Sequence, residues 1–577
     1  MSSTLEQADK PPGSDLGEVS ANADCTVLHE EVPAIKKAEP RSLRFWITIS
    51  ALCLLAFICA LDATIITTPL PTIVEDIGGE AQYVWIANSF VVAATVLQPL
   101  FGQLANLFGR KIPILTCLIL FMVGSGVAGG ARGPDMFIAG RAIQGAGAGG
   151  IYVLIDVVCC DLVALRDRGK YLGIINSWAG VASGVGPVLG GAFGSGNWPW
   201  IFYINLPICA LPLVTIFFVM RTKTGVPDAQ FPGVLGKLRQ LDVLGNIIFI
   251  PSMISLLLGL ITGGIQYPWS SPKVILPLVF GVVGWAGFHL QQHFSKNPMV
   301  PERLFSNRTS AAAYGLTFLA SVTAQTTLYF IPVYLQAIVG ANVLLSGVYF
   351  LPTALGILVF AASAGVVLSK TGTYKMLHWT AFGLSGIGFG LFTLMTTSTP
   401  KVAWVFYQLI AAAGSGIPIS TLLPAIMAAL PESDVAASTS IFSFLKTFGY
   451  IWGVTAPSIL FNAIINQNLF RIDDAEAREQ LRDGGAYAYA SQTHATKHLL
   501  RPSTWKEIAK VYIISLEAVW WFGLALSLLG FLLVFVEKHI ELRTELQTEF
   551  GLGEQARESE IEGQDSFGDQ KGLAKSQ

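Results

Sequence analysis

Trp178 to Gly194 reads WAGVASGVGPVLGGAFG, six glycines and one proline in an otherwise apolar stretch. In water such a segment is a loop, because glycine costs a helix about 1 kcal/mol and proline about 3 relative to alanine. In a membrane the same residues make a helix: small side chains let neighbouring helices approach, and those neighbours satisfy the backbone group a proline frees. Lys170 and Trp198 flank the stretch far enough apart for it to span. It is therefore read as the fifth of a series of membrane helices. Gly180 and Gly184 lie one turn apart, as do Gly186 and Gly190, with Gly191 alongside, while Pro187 permits a kink. Close packing alone and bending at Gly186–Pro187 are both open for this helix.

Composition supports the membrane reading. The 577 residues are 52% hydrophobic and 13% charged, whereas soluble domains run at about 25% charged. Fourteen apolar runs recur, at 46–67, 84–104, 112–131, 135–158, 171–192, 200–220, 242–263, 273–290, 311–332, 345–368, 376–396, 402–428, 436–460 and 512–536. About 20 helical residues cross a hydrocarbon core of about 30 Å. The first 44 residues are polar, with no apolar segment behind a basic start, and read as a disordered cytosolic tail rather than a signal peptide.

Charge placement orients the chain. With both termini in the cytosol, the short inner loops hold fourteen Lys or Arg, from Arg110 and Lys111 to Lys375, and the short outer loops hold Arg132, Lys273 and Lys401. That asymmetry is the positive-inside bias. The sequon at Asn307 then lies on the cytosolic side, where no glycan is expected. A net charge of −2 offers no footing for nucleic acid, and the cysteines follow no paired or metal-binding spacing. Glu537, Glu541, Glu545 and Glu549 fall four apart, the pattern of a solvated helix with an acidic face at the start of a cytosolic tail, 537–577.

Two inner segments repeat. GQLANLFGRKIPI follows span 2 and GVVLSKTGTYKML follows span 10; each sets two glycines seven apart, Gly102 and Gly109, then Gly365 and Gly372. Two six-helix halves would give an offset of six spans. The observed offset of eight places two extra helices between the halves, and spans 7 and 8 fit. The expected fold is an all-α polytopic membrane protein with a six-helix bundle at 45–222, a linker with two inserted helices at 223–308, and a second six-helix bundle at 309–536 that includes a long outer loop, 461–510.

Four segments in order, LDATIITTPLP in span 1, GQLANLFGRK after span 2, RAIQGAGAGG in span 4 and ASGVGPVLGG in span 5, resemble the signature set of the major facilitator superfamily. With fourteen spans the chain is similar to its drug:proton antiporter branch, especially fungal pumps that export toxins and other secondary metabolites. The resemblance covers 45–540. It implies that Asp62 and Arg141 work in proton coupling, that Gly102, Asn106, Gly109, Arg110 and Lys111 form a gating loop, and that the glycine-rich fifth helix is the antiporter motif. The sequence departs from the family at Thr67 and Pro69, usually Asn and Ala, and at Asn106 and Leu107, often an Asp and a basic residue, which weakens the expected ionic latch of that loop.

Charges at membrane depth cost at least about 2.5 kcal/mol each, and few occur: Asp62, Arg141, Asp156, Lys446 and Glu517. An arginine cannot carry the proton itself but can bias a nearby carboxyl. Asp62 is the best candidate for the titrating group, with structural hydrogen bonding as the alternative. Gln144, Asp156, Gln325, Tyr329, Gln336 and Lys446 are candidates for substrate contact or coupling. A cavity rich in aromatic, amide and hydroxyl groups suits an amphipathic organic molecule. The expected function is proton-driven efflux of such a molecule across the plasma membrane by a monomer that needs no cofactor beyond the proton gradient. Import or vacuolar transport of a siderophore or a basic amino acid is the alternative, and a non-transporting sensor is a different class. No catalytic motif points to an enzyme.

Overall fold

The computed structural model describes residues 42–66, 69–78, 82–194, 197–220, 233–264, 266–487, 489–490 and 501–545. Residues 1–41 of the expected N-terminal tail and the end of the C-terminal tail therefore lie outside the described residues, while Leu43 and Arg44, expected in that tail, open the first helix. Every regular element described is helical. In the first half these are α1 (Leu43–Ile65), the short α2 (Leu70–Ile77), α3 (Tyr83–Val96), α4 (Gln98–Phe108), α5 (Lys111–Gly129), α6 (Pro134–Leu162), α7 (Leu165–Gly194), α8 (Trp200–Tyr203) and α9 (Asn205–Val219). After α10 (Gly233–Leu238) come the inserted pair, α11 (Val243–Thr262) and α12 (Pro272–Phe294), and the one-turn α13 (Arg303–Ser306). The second half holds α14 (Arg308–Ala337), α15 (Val343–Thr371), α16 (Tyr374–Phe392), α17 (Lys401–Met427), α18 (Val435–Asn468), α19 (Ala475–Leu481) and α20 (Pro502–Leu533).

Twelve of these are long and apolar enough to cross a bilayer, and thirteen when α3 and α4, bent by 41° at Leu97, count as one span. The fourteenth expected span falls on α16. That helix has 19 residues, but Lys375, His378 and four glycines dilute its apolar character, so apolar length alone does not yield fourteen. The outer loop is also shorter than 461–510, because α18 runs to Asn468 and α20 begins at Pro502. Helical hydrogen bonding continues past the apolar runs into polar sequence.

The glycine-rich stretch is helix throughout: α7 is continuous over 30 residues. Its glycines do three different jobs. Gly186 and Gly190 seat α7 on α1, where an added methyl would collide with Thr64 and the Ile65 carbonyl. Gly180 touches Leu358 of the other half, and Gly184 faces open space. Gly169 and Gly173, outside the motif, are where α7 meets the backbones of α15 and α17. The motif as read from sequence thus packs mainly within its own half, and the contact between halves lies nearer the start of the helix.

A single buried cluster joins both halves at the end bearing the basic loops, from Phe45 and Tyr171 to Leu368 and Ala436. Toward the other end the cores are separate, one around Phe137 and Phe202 and one around Phe330 and Trp520. The inserted α11 packs through Phe249 and Met253 on Val92 of α3, while α12 leaves Leu276, Phe280, Val283 and Leu290 exposed, as a lipid-facing helix does. Asn307 caps α14, accepting from the Thr309 N–H at 2.8 Å. Asn307→Ala is expected to cost about 1 kcal/mol, read as a lower thermal midpoint in detergent.

Over residues 537–545 the acidic-face helix expected after span 14 does not form, and Glu549 lies outside the described residues. Residues 537–545 are irregular, and Glu537 is buried rather than solvated. Its carboxylate lies against His378 Nδ1 at 2.9 and 3.1 Å, a tertiary partner that outweighs the local spacing of glutamates. Trp198, which flanks the glycine-rich stretch, is a core residue donating to Asp76 at 2.7 Å, whereas Trp200 is exposed.

Candidate functional site

Four helices deliver polar side chains to one buried point inside the first half. Asp62 lies in the last turn of α1, Ser125 in α5, Arg141 and Gln144 one turn apart on α6, and Asn205 at the first residue of α9. Arg141 Nη1 donates to Asp62 Oδ2 at 2.7 Å and to Gln144 Oε1 at 2.6 Å. Gln144 Nε2 donates to Asp62 Oδ1 at 2.7 Å and to Ser125 Oγ at 2.8 Å. Asn205 Nδ2 donates to Asp62 Oδ1 at 2.7 Å. Asp62 is 0% and Arg141 2% exposed, and the guanidinium lies 4.3 Å from the Phe90 ring centre.

This geometry is suited to a two-state element. Two charges taken out of water are tolerated only when paired and further hydrogen-bonded, and here the carboxylate accepts from three donors. A proton on Asp62 would turn an acceptor-only group into one that must donate, breaking the register with Arg141. Asn205 and Ser125 are members the sequence reading passed over. The available signal was positional, since Asn205 is the one amide within the apolar run 200–220.

A second constellation seals the basic end. Gly102 lies within α4 rather than in a loop, and a methyl there would come 2.5 Å from Ser440 Cβ of α18. Its repeat partner Gly365 lies on α15, where a methyl would come 2.7 Å from the Gly169 carbonyl carbon. The repeated glycines are therefore two places where the halves come close together. Gly109 and Gly372 both adopt positive φ, 76° and 70°, a conformation that glycine takes without strain. Nearby, Gln98 donates to Thr447 at 3.0 Å across the halves.

The latch expected to be weak at Asn106 is ionic after all. Arg110, 1% exposed, donates to Asp161 Oδ2 at 2.7 Å and to the Ala105 carbonyl at 2.7 Å, with Asn106 Oδ1 at 3.4 Å. Asp161, at the end of α6, supplies the charge missing at position 106. Lys111 instead donates to the Phe217 carbonyl at 2.6 Å.

A family model described as Major Facilitator Superfamily matches residues 52–457. The chain belongs to the major facilitator superfamily. Curated relatives of this superfamily member include "MFS efflux transporter aclA" of Aspergillus oryzae, 41% identical over 90% of this chain and 94% of the relative. "MFS-type efflux pump LUC4" of a Fusarium species is 39% identical over 91% and 93%. "Acurin A biosynthesis cluster MFS-type transporter" of Aspergillus aculeatus is 39% identical over 90% and 94%. Among solved structures, the human organic anion transporter MFSD10 superposes with a TM-score of 0.54 at 15% identity, covering 86% of this chain and all of that one, a likeness of fold. The superfamily member is an integral membrane protein of transporter kind.

In this facilitator the other candidate residues do not join the Asp62 site. Asp156 follows Arg141 by 15 residues, about 22 Å along a helix; it is buried, and the charge acting on it is Lys446 of the opposite half. The Lys446 ammonium lies 5.3 Å from the Phe442 ring centre. Gln325 packs beside Gly453, and Tyr329 stacks edge-on against Tyr487 of the outer loop. Gln336 donates to Ser346 at 2.9 Å, tying α14 to α15. Gln408 likewise accepts from Thr353 at 2.8 Å. These two amides fasten helix pairs.

Proposed function

We propose that this facilitator exports a hydrophobic or amphipathic small molecule, of the secondary-metabolite kind, in exchange for protons by alternating access. The observation that carries the reading is the buried Asp62–Arg141 pair, held by Gln144 and Asn205 where no water-filled surface requires a charge. In the deprotonated state the carboxylate binds Arg141. Protonation releases the guanidinium toward Gln144, and the helices that meet at this point, α1, α5, α6 and α9, re-pack. One relative's name gives efflux and another's places a transporter in a biosynthesis cluster, and a secondary metabolite is the substrate class we carry to the chain. The basic, sealed end is taken as cytosolic, both termini lie on that side, and the plasma membrane is the site of action.

A proton moving inward supplies about 2.3 kcal/mol per 100 mV and about 1.4 per pH unit, enough for concentration of substrate by about tenfold or more. Inside-out vesicles with an acid lumen are the test. An amphipathic metabolite from the host's own extract should accumulate in them and be lost on adding a protonophore. Accumulation that ignores the protonophore excludes proton coupling, loading only of right-side-out vesicles makes the protein an importer, and no movement in either orientation supports a sensor.

A further inference from the structure

The segment after α20 is held along its length. Glu537 is buried against His378 of α16, the Lys538 N–H donates to Thr309 Oγ1 of α14 at 3.0 Å, and the Ile540 N–H donates to Tyr374 Oη at 3.0 Å. Up to this point the contacts lie in the second half. At Arg543 the segment crosses to the first: the Arg543 carbonyl accepts from the Arg166 N–H of α7 at 3.1 Å. The Arg543 guanidinium donates to the Leu430 carbonyl at 2.7 Å and meets Glu432 Oε1 at 3.4 Å, while the other Glu432 oxygen accepts from Arg168 of α7 at 2.6 Å. One carboxylate thus binds the two halves and the segment together. Arg166 itself donates to the Ser369 and Lys370 carbonyls at the end of α15, at 2.9 and 2.8 Å, where unpaired carbonyls favour a cation.

We propose that residues 537–545 form a strap that holds the basic-end gate shut, anchored on the second half at Glu537 and released from the first half at Arg543 when the gate opens. Opening separates α7 from α15 at Gly169 and Gly365, so the Arg166–Arg543 and Arg168–Glu432 contacts must break with it. The Glu537 anchor, wholly within one half, need not. The strap therefore adds to the stability of the closed gate without being part of the substrate path, whichever way substrate travels.

Hydrogen exchange on the full-length protein in lipid nanodiscs tests this. In Arg543→Ala, which keeps the carbonyl but removes the guanidinium that seats it through Leu430 and Glu432, exchange of the gate segments 164–170 and 366–373 should rise about tenfold, the factor that about 1.4 kcal/mol supplies, while 374–380 stays protected. A chain ending at Leu542 removes the far end of the strap outright and should raise gate exchange at least as far, with the thermal midpoint reporting that the bundle is intact. Gate exchange equal to wild type in the shortened chain would overturn the proposal. So would a rise spread evenly over all helices, which would mean general destabilisation rather than gate release.

Discussion

Arg141→Ala is expected to abolish proton-driven transport while leaving a folded, membrane-inserted protein. Removing one partner of a buried ion pair ordinarily costs about 3–5 kcal/mol, because the remaining charge is stranded. A stranded carboxylate has a cheaper outcome, which is to bind a proton and stay neutral. Asp62 then keeps Gln144 and Asn205 as neighbours, so the four helices stay joined, but it no longer exchanges a charge with a cation that moves. Asp62→Asn reaches the same neutral state by another route, and residual transport in it should no longer change with pH. Vesicle uptake driven by an imposed pH gradient, beside the thermal midpoint of each variant, separates the two effects. Wild-type uptake in Arg141→Ala, or full pH dependence in Asp62→Asn, would remove the pair from the proton path.

Gly365→Ala should have the second-largest effect, and for a steric reason. The new methyl would lie 2.7 Å from the Gly169 carbonyl carbon and 3.0 Å from Lys170 Cα, backbone atoms of the opposite half. Side chains rotate away from such a clash; backbone cannot, so the halves must part at the seal while each stays packed within itself. Transport should fall by about tenfold or more as the closed gate becomes unreachable, with a thermal midpoint close to wild type. Gly184→Ala is the matched control on the facing helix, since a methyl there meets nothing and transport should be unaffected. Equal loss in both variants would assign the effect to helix flexibility instead of the seal.

Much of this was legible in the sequence because membrane helices announce themselves by apolar length and the repeat by its glycines. Gly102 and Gly365 were found as a repeated pair from spacing alone, and both lie at the seam. Asp62, Arg141 and Gln144 stood out because charge and amide are scarce at that depth. Asp161 did not, since it falls just past the apolar run 135–158 and reads as a boundary charge. Arg110 was placed in the gating loop, but without Asp161 its ionic partner could not be named. His378, Glu432, Glu537 and Arg543 meet through separations of more than a hundred residues, which no periodicity encodes. Local spacing was actively misleading at 537–545, where a four-residue glutamate repeat argues for a helix and burial of Glu537 argues against it.

Helix α7 joins these two parts of the molecule. Near its start Gly169 and Gly173 press on the opposite half; toward its far end Gly186 and Gly190 grip α1 at Thr64 and Ile65, within one turn of Asp62. Thirty residues of unbroken helix make a rod of about 45 Å. A rod clamped at one end beside the acid and resting at the other on the gate is a lever. Tilting it to part the halves must shift the helix that carries Asp62, and relocating the Asp62 charge must tilt it. Drive and gate are thereby geared through one continuous helix, and the glycines are the bearings that let it sit close enough to transmit the motion.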